Sequence, residues 1–389
     1  MSTIKVNKIE NTGTTAGGVE IDSSGHVQVD GVQLPTAGAL SHRNLVVNGA
    51  MTVSQRSTSE TGQTALDGYV ALDRYRIQLS SSGTFTISQS TESPDGFANS
   101  LKFDCTTADS SPNYLVFFQM LEGQDLQQIQ KGKSGAKQTT LSFYVRSSKT
   151  GTYQVNLRDL DNNRLVGASY TISSANTWEY KTVTFPADTT GALDNDNAAS
   201  LQLEWWLAAG SDYTGGAVPT AWEARANTDR AAALNVAIGA ATTDDFYITG
   251  IQLEVGEKAT PFEHRSYGDE LARCKRYFEL LTNDVAGTKL SRKLFGPGYF
   301  ESSTQGVAYI SFAEKRAAPT VTASGTGDFI MFHTGSSVAL TGLTFAQGSP
   351  TDVRADTTCS SGPYSDGDSC FLTSISGSTL STISLDSEL

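Results

Sequence analysis

The side chains best suited to chemistry in this chain of 389 residues are aromatic rings on strand faces that should meet solvent. The stretch "LQLEWWL" puts Leu201, Leu203, Trp205 and Leu207 on one face and so turns Trp206 to the other. In "LSFYVRSS", Leu141, Phe143 and Val145 alternate with Ser142, Tyr144 and Arg146, so Tyr144 also points outward. An outward ring can stack on a sugar face, and a Trp N–H or Tyr O–H can hydrogen-bond it. Covering of these rings by a loop or a neighbouring subunit is the competing expectation, and Trp178 and Trp222 sit in loop contexts. Toward the C-terminus, Tyr299, Tyr309 and Tyr364 stand isolated among Ser, Thr, Gly and Asp. That mix offers stacking area and adaptable hydrogen bonding. Tyr144, Trp206, Tyr299, Tyr309 and Tyr364 are therefore the candidate ligand-binding residues.

Catalytic patterns are thin. Gly367-Asp368-Ser369 resembles the nucleophile motif of some esterases, but such a serine needs a base in reach and no histidine follows His333. It reads as a turn. His26, His42, His264 and His333 are scattered without metal-ligand spacing. Asp244-Asp245 is too common a pair to mark glycoside hydrolysis. No repeat of a depolymerase β-helix is visible. No catalytic residue and no resident metal are assigned, and the chain reads as a non-enzyme. Asp194-Asn195-Asp196-Asn197 and Asp366-Gly367-Asp368 are oxygen-rich. Calcium takes about six to eight oxygens, and neither loop continues as an EF-hand. Solvated turns are the plainer reading, with a structural calcium kept as the alternative.

These side chains must be held by a mainly β protein. The composition is 38% hydrophobic and 18% charged, with 36 Gly against 10 Pro, which suits many short strands and turns. A formal charge of −13 argues against nucleic-acid binding. No apolar run approaches the roughly 18 residues of a membrane span. The opening "MSTIKVNKIENTG" lacks the apolar core of a secretion signal, which implies synthesis in a cytoplasm. Four cysteines are too few for a disulfide framework. Cys105 reads as core and Cys274 as part of a helix face. Cys359 and Cys370 could pair across a loop, though cytosol-made proteins rarely carry disulfides.

Residues 1–42 form a thin β leader, with Ile4, Val6 and Ile9, then Val19 and Ile21, then Val27, Val29 and Val32. So little apolar surface supports no core in a single copy; a disordered tail is the alternative. Residues 43–265 carry period-2 strands throughout, hence a sandwich or barrel. "NLVVNGAM", residues 44–51, reads as its opening strand. "FYITGIQLEVG" reads as its closing strand, with pairing beside the opening one as the expectation. Its apolar parity flips at Thr249-Gly250, so a bulge is expected there. Residues 266–282 contain one linking helix, about 267–281, striped by Leu271, Cys274, Phe278 and Leu281. Residues 283–389 form a small C-terminal β domain.

The segments "NLVVNGAMTVSQR", "LDRYRI" and "FYITGIQLEVGEKATPFEHRSYGDELARCKRYFEL" resemble the framing segments of a tailed-bacteriophage tail fibre protein. "SFAEKRAAPTVTASG" is similar to the start of that family's C-terminal domain, although Glu314-Lys315 departs from its usual Met-Arg. The resemblance covers roughly residues 43–320. It implies that 43–265 is a jelly-roll β-sandwich like a carbohydrate-binding module. It also implies a homotrimeric virion tail component, docked on tail proteins through the leader and attached to a host surface glycan or protein. The Ser-, Thr-, Gly- and Asp-rich composition of residues 283–389, with its scattered aromatics, leads to the expectation that the C-terminal tip reads the host and the jelly roll is a spacer, with sugar binding through Tyr144 and Trp206 as the rival. A virion decoration protein without host binding, and a carbohydrate-active enzyme, are the alternatives of other classes. If the leader needs neighbouring copies to bury its apolar residues, native mass measurement on the full-length protein should return three chains. A stable monomer with an ordered leader would contradict it.

Overall fold

The computed structural model describes residues 8–9, 18–21, 27–29, 32–33, 42–285, 287–360, 362, 364–375 and 380–389. The chain divides into two compact units, residues 1–267 and 268–389. In the leader, β1 (Lys8–Ile9), β2 (Val19–Ile21), β3 (Val27–Val29) and β4 (Val32–Gln33) pair in order as a small antiparallel sheet. Val19 and Ile21 are exposed. Ile4 and Val6 lie outside the described residues.

The large sheet contains β5 (Ser59–Tyr69), β6 (Arg76–Ser90), β7 (Ser100–Thr107), β8 (Tyr114–Glu122), β9 (Thr139–Ser147), β10 (Gly151–Asp159), β11 (Arg164–Ile172), β12 (Glu179–Phe185), β13 (Ala199–Ala209), β14 (Glu223–Ala224) and β15 (Asp245–Val255). Their order is β12-β9-β15-β7-β6-β8-β13-β10-β11-β14, with β5 paired on β6. This sheet becomes a sandwich because β6 turns a corner. Its first half, Arg76–Ser80, pairs with β8, and its second half, Thr84–Ser90, pairs with β7. The corner carries Ser81 and Gly83 at positive φ, and a side chain at Gly83 would meet the Thr107 carbonyl oxygen at 2.5 Å. Only glycine fits so close an approach at φ +98°.

Inward rings then join the layers. Phe143 of β9 meets Trp205 of β13 edge-on at 6.0 Å and Tyr170 of β11 at 5.1 Å. Phe246 of β15 lies 5.8 Å from Tyr153 of β10, and Trp205 stacks flat on Phe117 of β8 at 5.0 Å. All are buried. Full burial of such a side chain contributes about 1.5–3 kcal/mol.

β15 carries the expected bulge. Thr249 pairs with Tyr144 and Gln252 with Ser142, so two residues of β15 oppose one of β9. Gly250 takes φ +63°. Phe246 and Ile248 before it, and Ile251 and Leu253 after it, are all fully buried, so the bulge restores inward pointing.

Residues 44–51 do lie beside β15, but as an irregular segment and not as the expected strand. Positive φ at Asn48 and Met51 breaks the extended backbone. Side-chain amides replace the ladder. Asn44 Nδ2 donates to the Ile251 carbonyl at 2.9 Å, and Asn44 Oδ1 accepts from the amides of Val46 and Leu253 at 3.0 and 3.1 Å. Main-chain bonds run from the Leu45 amide to the Leu253 carbonyl and from the Ile251 amide to the Gly49 carbonyl, each 2.9 Å. Glu263 closes the clasp by accepting from the amides of Arg43 and Asn44, both at 3.1 Å. Burial raises the Glu263 carboxyl, but these amides and the Arg265 and Arg43 charges outweigh it and hold it below the ordinary glutamate range.

In the second unit the helix spans only Tyr267–Lys275. The expected continuation to Leu281 is corrected: Phe278–Thr282 is a strand paired with Thr382–Asp386, which also pairs with Thr320–Ala323. Long-range pairing overrides the local helical stripe, keeping Cys274 buried in the helix and Phe278 buried in the strand. Lys315 is buried and donates to Glu279 at 2.7 Å. The strands Leu294–Phe300, Gln305–Ser311, Asp352–Cys359, Ser336–Ala346, Phe329–His333 and Ser369–Ser374 close into a barrel in that order. Its core includes Cys359 and Cys370 as free thiols; burial pushes the Cys370 thiol up to about 12.

The Asn44 amide makes three buried or clasp-closing hydrogen bonds that alanine cannot make. Leaving such groups unpaired costs about 1–3 kcal/mol each. Asn44→Ala should lower stability by about 3 kcal/mol in urea denaturation. A loss below about 0.5 kcal/mol would show that the clasp does not hold the sandwich closed.

Candidate functional site

A cleft of about 580 Å³ opens on the outer face of the β12-β9-β15 layer. Its floor is built by strand register. Tyr144 of β9 stands opposite Tyr180 of β12 and Thr249 of β15, so all three point away from the core. The two tyrosine rings lie 4.9 Å apart. Tyr180 is 47% exposed, which leaves its ring face open to a ligand. Burial raises the Tyr180 phenol above its usual value, although a hydrogen bond with Ser142 opposes this. It therefore remains a donor at neutral pH.

Two irregular segments form the walls. In the β6–β7 connection, the Phe97 amide bonds the Pro94 carbonyl at 3.1 Å and the Ser93 hydroxyl bonds the Phe97 carbonyl at 2.6 Å. This turn drops the Phe97 ring over the bulge, 5.5 Å from Tyr144. The second wall follows β15. Buried Glu254 accepts from the Thr260 amide at 2.8 Å and its hydroxyl at 2.7 Å. The Glu263 amide donates to Gln252 at 2.8 Å, and the His264 amide returns to the Phe262 carbonyl at 3.1 Å. That reversal sets Phe262 and His264 side by side at 4.8 Å, with Phe97 5.0 Å from the first and 5.2 Å from the second.

The bulge makes room for this cluster. A Cβ on Gly250 would lie 2.7 Å from the Phe97 ring and 3.0 Å from the Tyr144 ring. The polar side chains lining the cleft include Asp95, Lys258 and His264. Arginine and aromatic side chains continue along the same sheet face: Arg146 lies over Tyr247 at 4.9 Å, and Trp178 meets Tyr247 at 6.1 Å. Chemically, the cleft offers ring faces at several angles and flanking hydrogen-bond donors and acceptors. Asp95 is the one carboxylate among the described lining residues, whereas glycoside hydrolysis uses two.

The residues singled out by the sequence are dispersed. Tyr144 is in the cleft. Trp206 does point away from the core, but its reading as an exposed binding ring is corrected: it is 1% exposed. Tyr213 and Arg230, from the segment after β13, cover it at 4.8 Å each, and its indole N–H donates to Glu204 at 3.1 Å. Trp222 is spoken for as well, donating to the Pro186 carbonyl at 2.9 Å beneath Lys131. Tyr299 and Tyr309 lie on neighbouring strands of the barrel, Tyr309 opposite Arg354 in register, and Tyr309 is exposed. Tyr364 packs flat on Phe300 at 4.4 Å. Phe97, Tyr180 and Phe262 were missed. Only Tyr180 had a local signal, since inward Val183 and Phe185 put it outward by alternation.

Asp366 and Gly367 form a turn, and His333 Nδ1 bonds the Ser369 main-chain oxygen at 2.6 Å, not the hydroxyl. Among the described residues no group of three or more His, Cys, Asp or Glu side chains is placed to hold a metal. The oxygen-rich loop at 194–197 spends its groups on turns: the Asp196 carboxylate accepts from the Ala198 amide, and the Asp194 amide donates to Asp161.

No known family matches the chain. No curated protein matches it. Among solved structures, the enzymatically active domain of bacteriophage CBA120 tailspike protein 4 aligns at 13% identity and TM-score 0.29, over 55% of this chain and 21% of its own. A putative sugar-binding protein of Bacteroides thetaiotaomicron aligns at 11% and 0.29, over 55% and 100%. The C-terminal family 22 carbohydrate-binding module of Clostridium thermocellum Xyn10B aligns at 12% and 0.26, over 48% and 88%. Identities and TM-scores this low transfer no function.

Gly250→Ala should push Phe97 off Tyr144 and force an alanine to φ +63°, with a strain of about 1–2 kcal/mol. Aromatic proton shifts of Phe97 and Tyr144 should move while the remaining core resonances stay in place. Unchanged ring shifts would refute the close fit at the bulge.

Proposed function

We propose that the sandwich unit binds carbohydrate without hydrolysing it, as the attachment module of a virion tail fibre. The observation that carries this reading is the aromatic cleft. Five rings, Phe97, Tyr144, Tyr180, Phe262 and His264, come from two strands and two connecting segments to one depression of ligand size. Stacked rings recognise the C–H faces of sugars, and the polar rim can pair with hydroxyls. The single carboxylate among the described lining residues supports binding over turnover.

The virion part rests on the resemblance of residues 43–320 to tail fibres. The exposed Val19 and Ile21 of the leader sheet favour packing between copies, in line with a homotrimer docked on tail proteins. Three sandwiches engaging one surface would multiply a weak single-site affinity. The cleft favours the sandwich as the reader of the host surface over the role of rigid spacer. Recognition at the barrel tip is the second reading, supported by the adjoining Tyr299 and the exposed Tyr309.

A glycan array probed with full-length protein tests this. Tyr144→Ala should weaken capture of the selected glycan about tenfold, equivalent to about 1.4 kcal/mol, with the thermal midpoint little changed. Tyr309→Ala should leave capture intact. The reverse pattern would move recognition to the barrel, and turnover of the captured glycan would overturn the non-enzymatic assignment.

A further inference from the structure

The opposite layer of the sandwich holds a second set of residues that the cleft does not use. On the outer face of β10 and β13, Glu204 sits fully buried and accepts from Arg230 through Nε at 3.1 Å and Nη2 at 2.6 Å. It also accepts from Asn156 at 2.9 Å, Gln202 at 2.8 Å and Trp206 at 3.1 Å. Burial pushes the Glu204 carboxyl up, but the Arg230 charge and these bonds outweigh it and hold it below the ordinary range. Glu204 is therefore ionised and its charge is spent on Arg230.

Two further guanidiniums lie near enough to this pair to feel its charges. Arg158 is the next outward residue of β10 after Asn156, and Arg225 follows β14. Both are half-buried. The Nε atoms of Arg158 and Arg225 are buried without an acceptor. Arg225 donates from Nη2 to Asn227, a neutral amide. The Arg158 guanidinium makes no hydrogen bond or ion pair with any described residue. Burial, then the charges of Arg225 and Arg230, brings Arg158 down to about 10, so it keeps its proton at neutral pH with its neighbours opposing it. Three guanidiniums thus share one carboxylate, in a chain whose formal charge is −13. A half-buried cation with no counter-ion is costly unless something else supplies the charge.

We infer that Arg158 and Arg225 form an oxyanion-binding site for an acidic sugar. The group recognised is a carboxylate or phosphate, taken by the two guanidiniums that Glu204 leaves unneutralised. Arginine presents planar paired donors suited to either oxyanion. The site lies on the layer opposite the aromatic cleft, so it works independently of neutral sugar binding there. A glycan with charged substituents can then be held on both faces of the sandwich.

The test is thermal unfolding of the full chain in sodium D-glucuronate, D-glucose 6-phosphate, D-glucose or sodium chloride, the salts at matched ionic strength. The expected result is a rise of the midpoint with one or both acidic sugars beyond the chloride control, and none with glucose. A response to glucuronate assigns a uronic acid, and a response to the phosphate alone assigns a phosphorylated sugar. Arg158→Met should raise the midpoint without ligand, because it removes a half-buried charge without an ion-pair partner among the described residues, and should abolish the response to the acids. Arg158→Gln should reduce the response at least tenfold in apparent affinity, and Tyr144→Ala should leave it unchanged. The inference is overturned if glucose or chloride acts as strongly as the acids, or if Arg158→Met responds like the native chain. Loss of the response in Tyr144→Ala would overturn the independence of the two faces.

Discussion

The one-residue bulge at Gly250 is the constraint on which both the closure of the sandwich and the shape of its cleft depend. Without it, the second half of β15 would turn Ile251 and Leu253 outward and Gln252 and Glu254 into the core. With it, the Ile251 amide is released from the β9 ladder and reaches the Gly49 carbonyl. The same step leaves no side chain beneath Phe97, whose ring settles there against Tyr144. Core parity, chain closure and cleft shape are therefore set by one glycine.

The polar residues around β15 show how the walls are fixed. Gln252 and Glu254 are outward yet buried, because the segment after β15 folds back over them. They satisfy the amides of Thr260 and Glu263, and Glu263 in turn satisfies the amides of Arg43 and Asn44. Buried polar groups that are fully paired specify a single arrangement. Phe262 and His264 are carried on that arrangement, so the cleft wall is part of the closing clasp and not a loose loop. The arginine face on the other layer follows the opposite logic. Its one carboxylate is committed to Arg230, and the leftover charge costs stability in the free protein, a trade common at binding sites.

Much of this fold could be read from residue order. Leu141, Phe143 and Val145, and Leu201, Leu203 and Trp205, alternate as half-buried strands must, and the parity break at Thr249-Gly250 marks the bulge. Tyr144 follows from the same alternation. What failed was whatever depended on residues far away in sequence. Phe278 and Leu281 fit a helical stripe, yet their pairing with Thr382–Asp386 makes them strand. Residues 44–51 look like a strand, yet Asn44 and Asn48 spend their amides in place of a ladder. Trp206 is outward by alternation, and only the distant Tyr213 and Arg230 cover it. Phe97 and Phe262 sit in connections without periodicity, so their meeting over Gly250 leaves no trace in local pattern.

The central claim is that the sandwich cleft, through its rings, is where a glycan is held. The most direct measurement is chemical-shift mapping on the isotope-labelled full chain, titrated with the oligosaccharide that the array selects. The account predicts the largest shifts at Phe97, Tyr144, Tyr180, Gly250, Phe262 and His264, with intermolecular ring-to-sugar contacts at Phe97 and Tyr144. Shifts confined to Tyr299, Tyr309 and Tyr364, with the cleft unmoved at saturation, would contradict it.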